Sequence, residues 1–271
     1  MNFFVLIGLM LLNLMLMGCE KVEQDKFSHY STRYEINNYS FAVKDSKGEP
    51  VGPRGNIFSD DTRVVFSDDD GIHLRLSRIE DTLLAAEIIS VDAKGFGRYE
   101  FVLEGNVDQI PAQVVVSPFL YADDENEVDI EFSSWSKEDN LLDSPWLGRG
   151  NYQFIFQPYD QIGNSLRPNE LLTLKRESGR VITSYRIDNL RNKVKIEMYE
   201  GKFSEGNLIS KWEYPRGVIK GDEMNFRLNV YIRNWSNIEK VETKLPIEII
   251  LKDFQFKKVY SFLDFFKRWV E

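Results

Sequence analysis

Histidine is nearly absent from this chain of 271 residues, which holds only His29 and His73, and cysteine is rarer still, with Cys19 alone. His29 lies in a polar N-terminal stretch and His73 inside the strand-like run Ile72-His73-Leu74-Arg75-Leu76. A Ser-His-Asp or Cys-His centre needs an imidazole beside its nucleophile, so that chemistry is nearly excluded. One cysteine builds no disulfide framework, and no zinc-ligand spacing exists. No glycine-rich phosphate loop occurs. Asp68-Asp69-Asp70-Gly71 lacks the ligand spacing of a calcium loop and reads as a solvated turn. Lys and Arg number 34 against 43 Asp and Glu, giving a net charge of −9. With no compensating basic stripe, a nucleic-acid partner is not expected. Sustained helical periodicity is missing until the last residues.

An apolar N-terminus and many short alternating runs are what the chain does have. Met1 to Gly18 is uncharged and almost wholly apolar, and Cys19 is followed at once by Glu20-Lys21-Val22-Glu23-Gln24-Asp25-Lys26. Leu16-Met17-Gly18-Cys19 resembles a bacterial lipobox, in which the signal is cut before an acylated cysteine. No Lys or Arg precedes the apolar run, and an uncleaved membrane anchor is the alternative. Residues 1–18 are therefore expected to be a lipoprotein signal peptide, with lipid on Cys19. Residues 19–33 are polar, without periodicity, and read as a tether. The expected location is the cell envelope, with membrane contact through the lipid, at the outer membrane or cell surface.

From Tyr34 the pattern becomes strand-length runs separated by turn clusters, which predicts one all-β domain over 34–260. Expected strands cover Ser40–Val43, Arg63–Phe66, Ile72–Leu76, Leu83–Val91, Gly97–Glu104, Gln113–Leu120 and Glu127–Phe132. Tyr152–Gln157, Val181–Asp188, Val194–Glu200, Ile209–Glu213, Asn225–Ile232 and Pro246–Val259 complete the series. Ser67-Asp68-Asp69-Asp70-Gly71 predicts a hairpin with an Asp-Gly turn. Phe262, Phe265, Phe266 and Trp269 recur at helical spacing, so 261–271 reads as a short amphipathic helix.

The densest chemistry lies in Asn126-Glu127-Val128-Asp129-Ile130-Glu131-Phe132. Strand side chains alternate between faces, so Glu127, Asp129 and Glu131 share one face and Val128, Ile130 and Phe132 the other. Three acids in a row repel and make a poor core layer, but they suit a site needing one carboxylate as nucleophile and another as acid and base.

The context of that strand resembles the family-16 glycoside hydrolases, which include licheninases, laminarinases and xyloglucan transglycosylases. Gly95-Phe96-Gly97-Arg98-Tyr99-Glu100-Phe101 and the apolar Val114–Tyr121 precede it, in the order of that family. The resemblance is specific over Leu84 to Gln157, and Tyr185-Arg186-Ile187-Asp188 continues it more weakly. It implies a concanavalin A-like jelly roll of two curved antiparallel sheets. It further implies an endo-β-glucanase-type, retaining enzyme acting on a β-linked polysaccharide, with Glu127 as nucleophile, Glu131 as general acid and base, and Asp129 holding the nucleophile. Glu87 matches a family Glu that binds sugar hydroxyls, although Ile89 stands where an Arg is common; Asn189 stands where the family places a Trp. Trp135, Tyr121 and Gln153 are further candidate substrate contacts, with Trp146 and Trp235 as other platforms. Arg98 and Tyr99 read as fold residues. No cofactor is implied, although the resemblance allows a structural calcium ion. Two other readings stay open: a carbohydrate-binding envelope protein on the same fold, and a transglycosylase.

Overall fold

The structure, a computed structural model, describes residues 26–134, 150–157, 165–166, 168, 170–176, 179–203, 207–235, 238–242 and 244–259. The signal segment, Cys19, Trp135, Trp146 and the amphipathic stretch 261–271 lie outside the described residues.

Alternation does what the sequence requires of it. Antiparallel strands form two sheets, each with one apolar face turned to the other. The first sheet runs β1 (Arg33–Ile36), β2 (Tyr39–Val43), β6 (Thr82–Lys94), β15 (Asn225–Ile232), β8 (Val114–Asp123), β9 (Asn126–Phe132), β10 (Tyr152–Phe156) and β11 (Ser165–Leu166). The second runs β4 (Val65–Asp68), β5 (Gly71–Ile79), β16 (Ile247–Lys258), β7 (Gly97–Glu104), β12 (Ile182–Leu190), β13 (Lys193–Glu200) and β14 (Asn207–Tyr214). The β5–β6 hairpin links the two, and β3 (Ile57–Phe58) pairs in parallel with β6.

Val128, Ile130 and Phe132 of β9 are fully buried, as are Phe226, Leu228 and Val230 of β15. Across the core, ring centroids of Phe132 and Tyr185 lie 6.0 Å apart, and Phe226 meets Phe101 and Phe254 at 4.8 Å each. Removing an aromatic from this layer would cost about 3–5 kcal/mol, because the cavity adds to the lost transfer energy.

Three local expectations change. The strand expected at Arg63–Phe66 begins at Val65, because Asp61 Oδ1 accepts the Arg63 amide and makes a turn there. The β4–β5 loop is Asp69-Asp70, with Asp68 paired to Gly71 at φ +135°. The ordered body also starts earlier than the tether reading allows: Phe27 to Tyr30 forms a turn and Arg33 already belongs to β1. Polarity alone hid this, since the apolar anchors in that stretch are two isolated aromatics.

Candidate active site

The β8–β9 hairpin presents the acids. Asp123 and Asn126 pair across a two-residue turn, and Asp123 Oδ1 accepts the Glu125 amide (3.1 Å) and Asn126 Nδ2 (2.7 Å). With Lys220 Nζ also donating at 2.5 Å, Asp123 is held ionised, with its pKa lowered to about 2. This turn fixes the register of β9, and a slip of one residue would send the acids into the core.

Register then builds the surface around them. Directly paired residues in an antiparallel sheet point to the same side. Glu127 lies opposite Tyr121, and Asp129 opposite Phe119 on β8 and Ile155 on β10; Glu131 lies opposite Gln153. Phe119 pairs on with Arg227, Ser117 with Asn229 and Tyr121 with Asn225, all on β15. Arg227 in turn pairs with Ile89, and Asn229 with Glu87, on β6. A polar band therefore crosses five strands, backed by a dry core.

The acids are poorly compensated. Burial pushes Glu127 up from 4.5 to about 7; a hydrogen bond from Asp129 and the nearby Arg227 oppose this, while Glu131 and Asp124 reinforce it. Asp129 is only 5% exposed, and its carboxyl is raised well above its usual range by burial and by Glu127 and Glu131. We read the coupled pair as a protonated Asp129 donating to Glu127. Gln153 Nε2 donates to Glu131 Oε2. Tyr231, buried on β15, is likewise pushed up by burial and by the fields of Glu131, Asp129 and Glu127.

Glu87 joins this surface in a different state from the one expected. It is 1% exposed, and its two oxygens accept Lys44 Nζ at 2.9 Å and Arg227 Nη1 at 3.1 Å. It therefore clamps a guanidinium. That guanidinium occupies the register position beside Ile89, so a cation lacking on β6 arrives from the neighbouring strand. Arg227 stacks over the Tyr121 ring at 4.4 Å, and the Tyr121 hydroxyl donates to Asp124 Oδ1 at 2.8 Å.

The other candidates divide. Trp235 is 44% exposed and its Nε1 donates to Arg54 O at 3.0 Å, in a loop beyond the end of β15. Arg98 pairs with Asp188 at 2.6 Å on the second sheet, and buried Tyr99 donates to Gly95 O at 2.7 Å. Asn189 is buried on β12 and donates to Gly95 O and Gly221 O, joining two turns away from the acids. Sequence reasoning missed Arg227, Asn229 and Tyr231. Their alternation along Asn225–Ile232 was visible, but their place beside β8 and β6 required the topology.

Among the described residues no group of three His, Cys, Asp or Glu side chains is arranged to hold a metal ion. Cavities of about 370 and 440 Å³ flank Arg75 and Pro246 at the β5–β16 end, where Arg75 and Arg180 are tied to Glu248 and Arg78 to Glu242.

No family model matches the chain, and no curated protein does. Solved structures do. A Bacillus licheniformis β-glucanase matches over 85% of this chain and 96% of its own, at 15% identity and a TM-score of 0.53. A prokaryotic β-1,3-1,4-glucanase (lichenase) derived from a mouse hindgut metagenome covers 83% and 96% at 14% identity and 0.51. An immunostimulatory antigen and pseudo β-1,3-glucanase of Mycobacterium tuberculosis covers 81% and 91% at 13% identity and 0.54. The two packed antiparallel sheets thus have the jelly-roll fold of the β-glucanases.

Proposed function

We propose that this protein is a retaining glycosidase acting on a β-linked polysaccharide, in the first place a β-glucan. The observation that supports it best is the acid strand itself. Three carboxyl groups share one face, two of them hydrogen-bonded to each other, and polar side chains from the neighbouring strands share that face. Burying three carboxyl groups side by side is costly, and a fold gains nothing structural from it. In the reaction, Glu131 gives its proton to the glycosidic oxygen as the C–O bond breaks, and a Glu127 oxygen bonds to the anomeric carbon. The Glu131 carboxylate then takes a proton from water, whose oxygen attacks that carbon and frees Glu127. Asp129 donates its hydrogen bond to Glu127 while that group is an anion, and shares less of it once the ester forms. Cα atoms of Glu127 and Glu131 are ~13 Å apart along a strand, so both long side chains must lean toward the sugar between them.

The test is hydrolysis of mixed-linkage glucan, laminarin and xyloglucan by the detergent-solubilised protein, beside Glu127→Gln. Oligosaccharides from the parent alone support the reading; binding without release from any polymer would sink it. Mass-spectrometric mapping of a mechanism-based inhibitor should find Glu127 labelled, and labelling of Glu131 would reverse the two roles. A second reading, carbohydrate binding without turnover, is favoured by the M. tuberculosis neighbour described as a pseudo β-1,3-glucanase on the same fold. Product bearing an added acceptor sugar would instead mark a transglycosylase. We further propose that Cys19 carries the lipid anchor at the cell envelope; lipid labelling that survives Cys19→Ser would refute it.

A further inference from the structure

One row of paired residues crosses the first sheet from its β1 edge to β10: Arg33, Ala42, Ile89, Arg227, Phe119, Asp129 and Ile155. All seven side chains point to the acid side. At the Asp129 end the row passes beneath the candidate catalytic acids. There Phe119 and Asp129 are 5% exposed and Ile155 6%, and the cover is tightest at the other end. Ala42 and Ile89 face away from the core, yet they are 0% and 1% exposed.

The N-terminal turn contributes to that cover. Arg33 Nη2 donates to the Phe27 carbonyl at 3.2 Å, which draws the preceding segment back over the sheet rather than off its edge. The Tyr30 amide closes the turn on the same carbonyl at 3.0 Å, and Thr32 O accepts the Val43 amide at 2.9 Å. The Phe27 ring lies 5.9 Å from the Arg227 guanidinium, and the Tyr121 ring 4.4 Å from it. The half-buried Tyr30 phenol is raised by burial and by Glu87 and Asp45, while Arg227 opposes the rise, so it lies near the same clamp. Thr32 Oγ1 donates to Asp60 Oδ2 at 2.6 Å and fastens the segment further.

We propose that the Phe27–Tyr30 turn is a wall that ends the sugar groove at Arg227, so that the protein removes short products from glucan chain ends instead of cutting within the chain. This rests on the glycosidase reading and replaces the internal cleavage that the family resemblance implies. Arg227 stands two strands from the acid strand, ~10 Å away, which leaves room for about two sugar residues between the acids and the wall. Ser117 and Asn229 pair with each other across β8 and β15, and together with Arg227 they lie on the acid-side face of those strands. A guanidinium, a hydroxyl and an amide together offer the donors and acceptors that the free hydroxyls of a terminal sugar would need.

The experiment compares the parent with a Phe27→Ala/Tyr30→Ala variant of the full chain on mixed-linkage glucan and laminarin, following reducing ends, viscosity and product size together. In the parent, reducing ends should appear with little viscosity loss and with mono- and disaccharides as the first products. In the variant, viscosity should fall several-fold faster per bond cut, and longer oligosaccharides should appear early. An equal, rapid viscosity loss in both would overturn the wall while leaving the glycosidase reading standing. Calorimetry on the Glu127→Gln protein supplies a second readout without turnover: affinity should stop rising at short oligosaccharides, and should go on rising with length once the wall residues are removed. Affinity that grows with length in both overturns the wall. No binding or cleavage by either overturns the glycosidase reading and the wall with it. Should the double variant unfold, Arg33→Ala loosens the turn while keeping both rings, and the same outcomes apply.

Discussion

Two faces of this sandwich carry carboxylates at alternate strand positions, and they treat them in opposite ways. On the second sheet Glu197 is buried, and burial alone would raise its pKa. Donors from Lys195 (2.5 Å), Tyr199 (2.9 Å) and Arg186 (3.1 Å) outweigh that cost and hold it below the usual range. Glu248 on β16 is likewise buried, and His73, Arg75 and Arg180 lower it. On the first sheet Glu127 and Asp129 have each other, Glu131 and one distant-handed cation, Arg227, whose charge Glu87 already shares. Their pKa values go up. The same residue type is a structural anion on one sheet and a proton-holding group on the other, and the partners decide which.

The contrast breaks most sharply at Glu127. On the proposed mechanism Glu127→Gln should lower kcat on a glucan by at least ~1000-fold, because that mechanism needs a Glu127 oxygen to form the bond. It should also stabilise the fold at alkaline pH. A carboxyl raised in the folded state binds its proton more tightly there than in the unfolded chain, so stability falls as pH rises from 4.5 to about 7 and stays reduced above. The parent should therefore carry a penalty of up to about 3 kcal/mol at pH 8 that the Gln variant lacks. Chemical denaturation at pH 5 and pH 8 measures it; a variant no more stable than the parent at pH 8 would place Glu127 in an ordinary solvated state. Carbon NMR of labelled Glu should show one carboxyl titrating near 7.

Glu248→Gln should do the reverse. It leaves Arg75 without its anion and Arg180 with Glu104 alone, at 3.6 Å, and should cost about 2 kcal/mol at pH 7, with no loss of catalytic competence per folded molecule. Because Glu248 is lowered in the folded state, its contribution is present above pH 4.5 and disappears as pH falls through its folded pKa. The variant and parent should thus converge in acid, as thermal unfolding at pH 3 and pH 7 would show.

How far the sequence revealed this differs between the two faces. Period-two alternation located thirteen expected strands and put Glu127, Asp129 and Glu131 on one side, because a strand cannot bury one face without exposing the other's pattern. Strand Gly97–Glu104 and strand Asn225–Ile232 have the bounds that alternation implied. Partners were another matter. Arg227 lies 140 residues from Glu87 in the chain, and nothing local says that β15 inserts between β6 and β8. Ile89 looked like a missing cation for that reason. The two-residue strands β3 and β11 are too short to show any period, and Phe27 and Tyr30 are too sparse to read as packed.

The smallest expected effect tests whether an ion pair counts equally where water reaches it. Lys193 and Glu213 join β13 to β14 at 3.1 Å, the same length as the Arg186–Glu197 pair, but their side chains are 37% and 45% exposed. Water screens both charges, and ordering two long side chains costs about what the attraction returns, so the pair is worth ~0.5 kcal/mol or less. Glu213→Gln should leave the unfolding midpoint nearly unchanged and insensitive to salt. If it instead cost as much as Glu248→Gln, the number of ion pairs would explain the behaviour of the second sheet and burial would not. A negligible effect shows that a partner counts only where burial has removed water, as at Glu197 and Glu248. By that logic Glu127 and Asp129 are raised because burial outweighs the opposing charge that Arg227 brings to Glu127, and a carboxyl pair perturbed in this way marks a functional site.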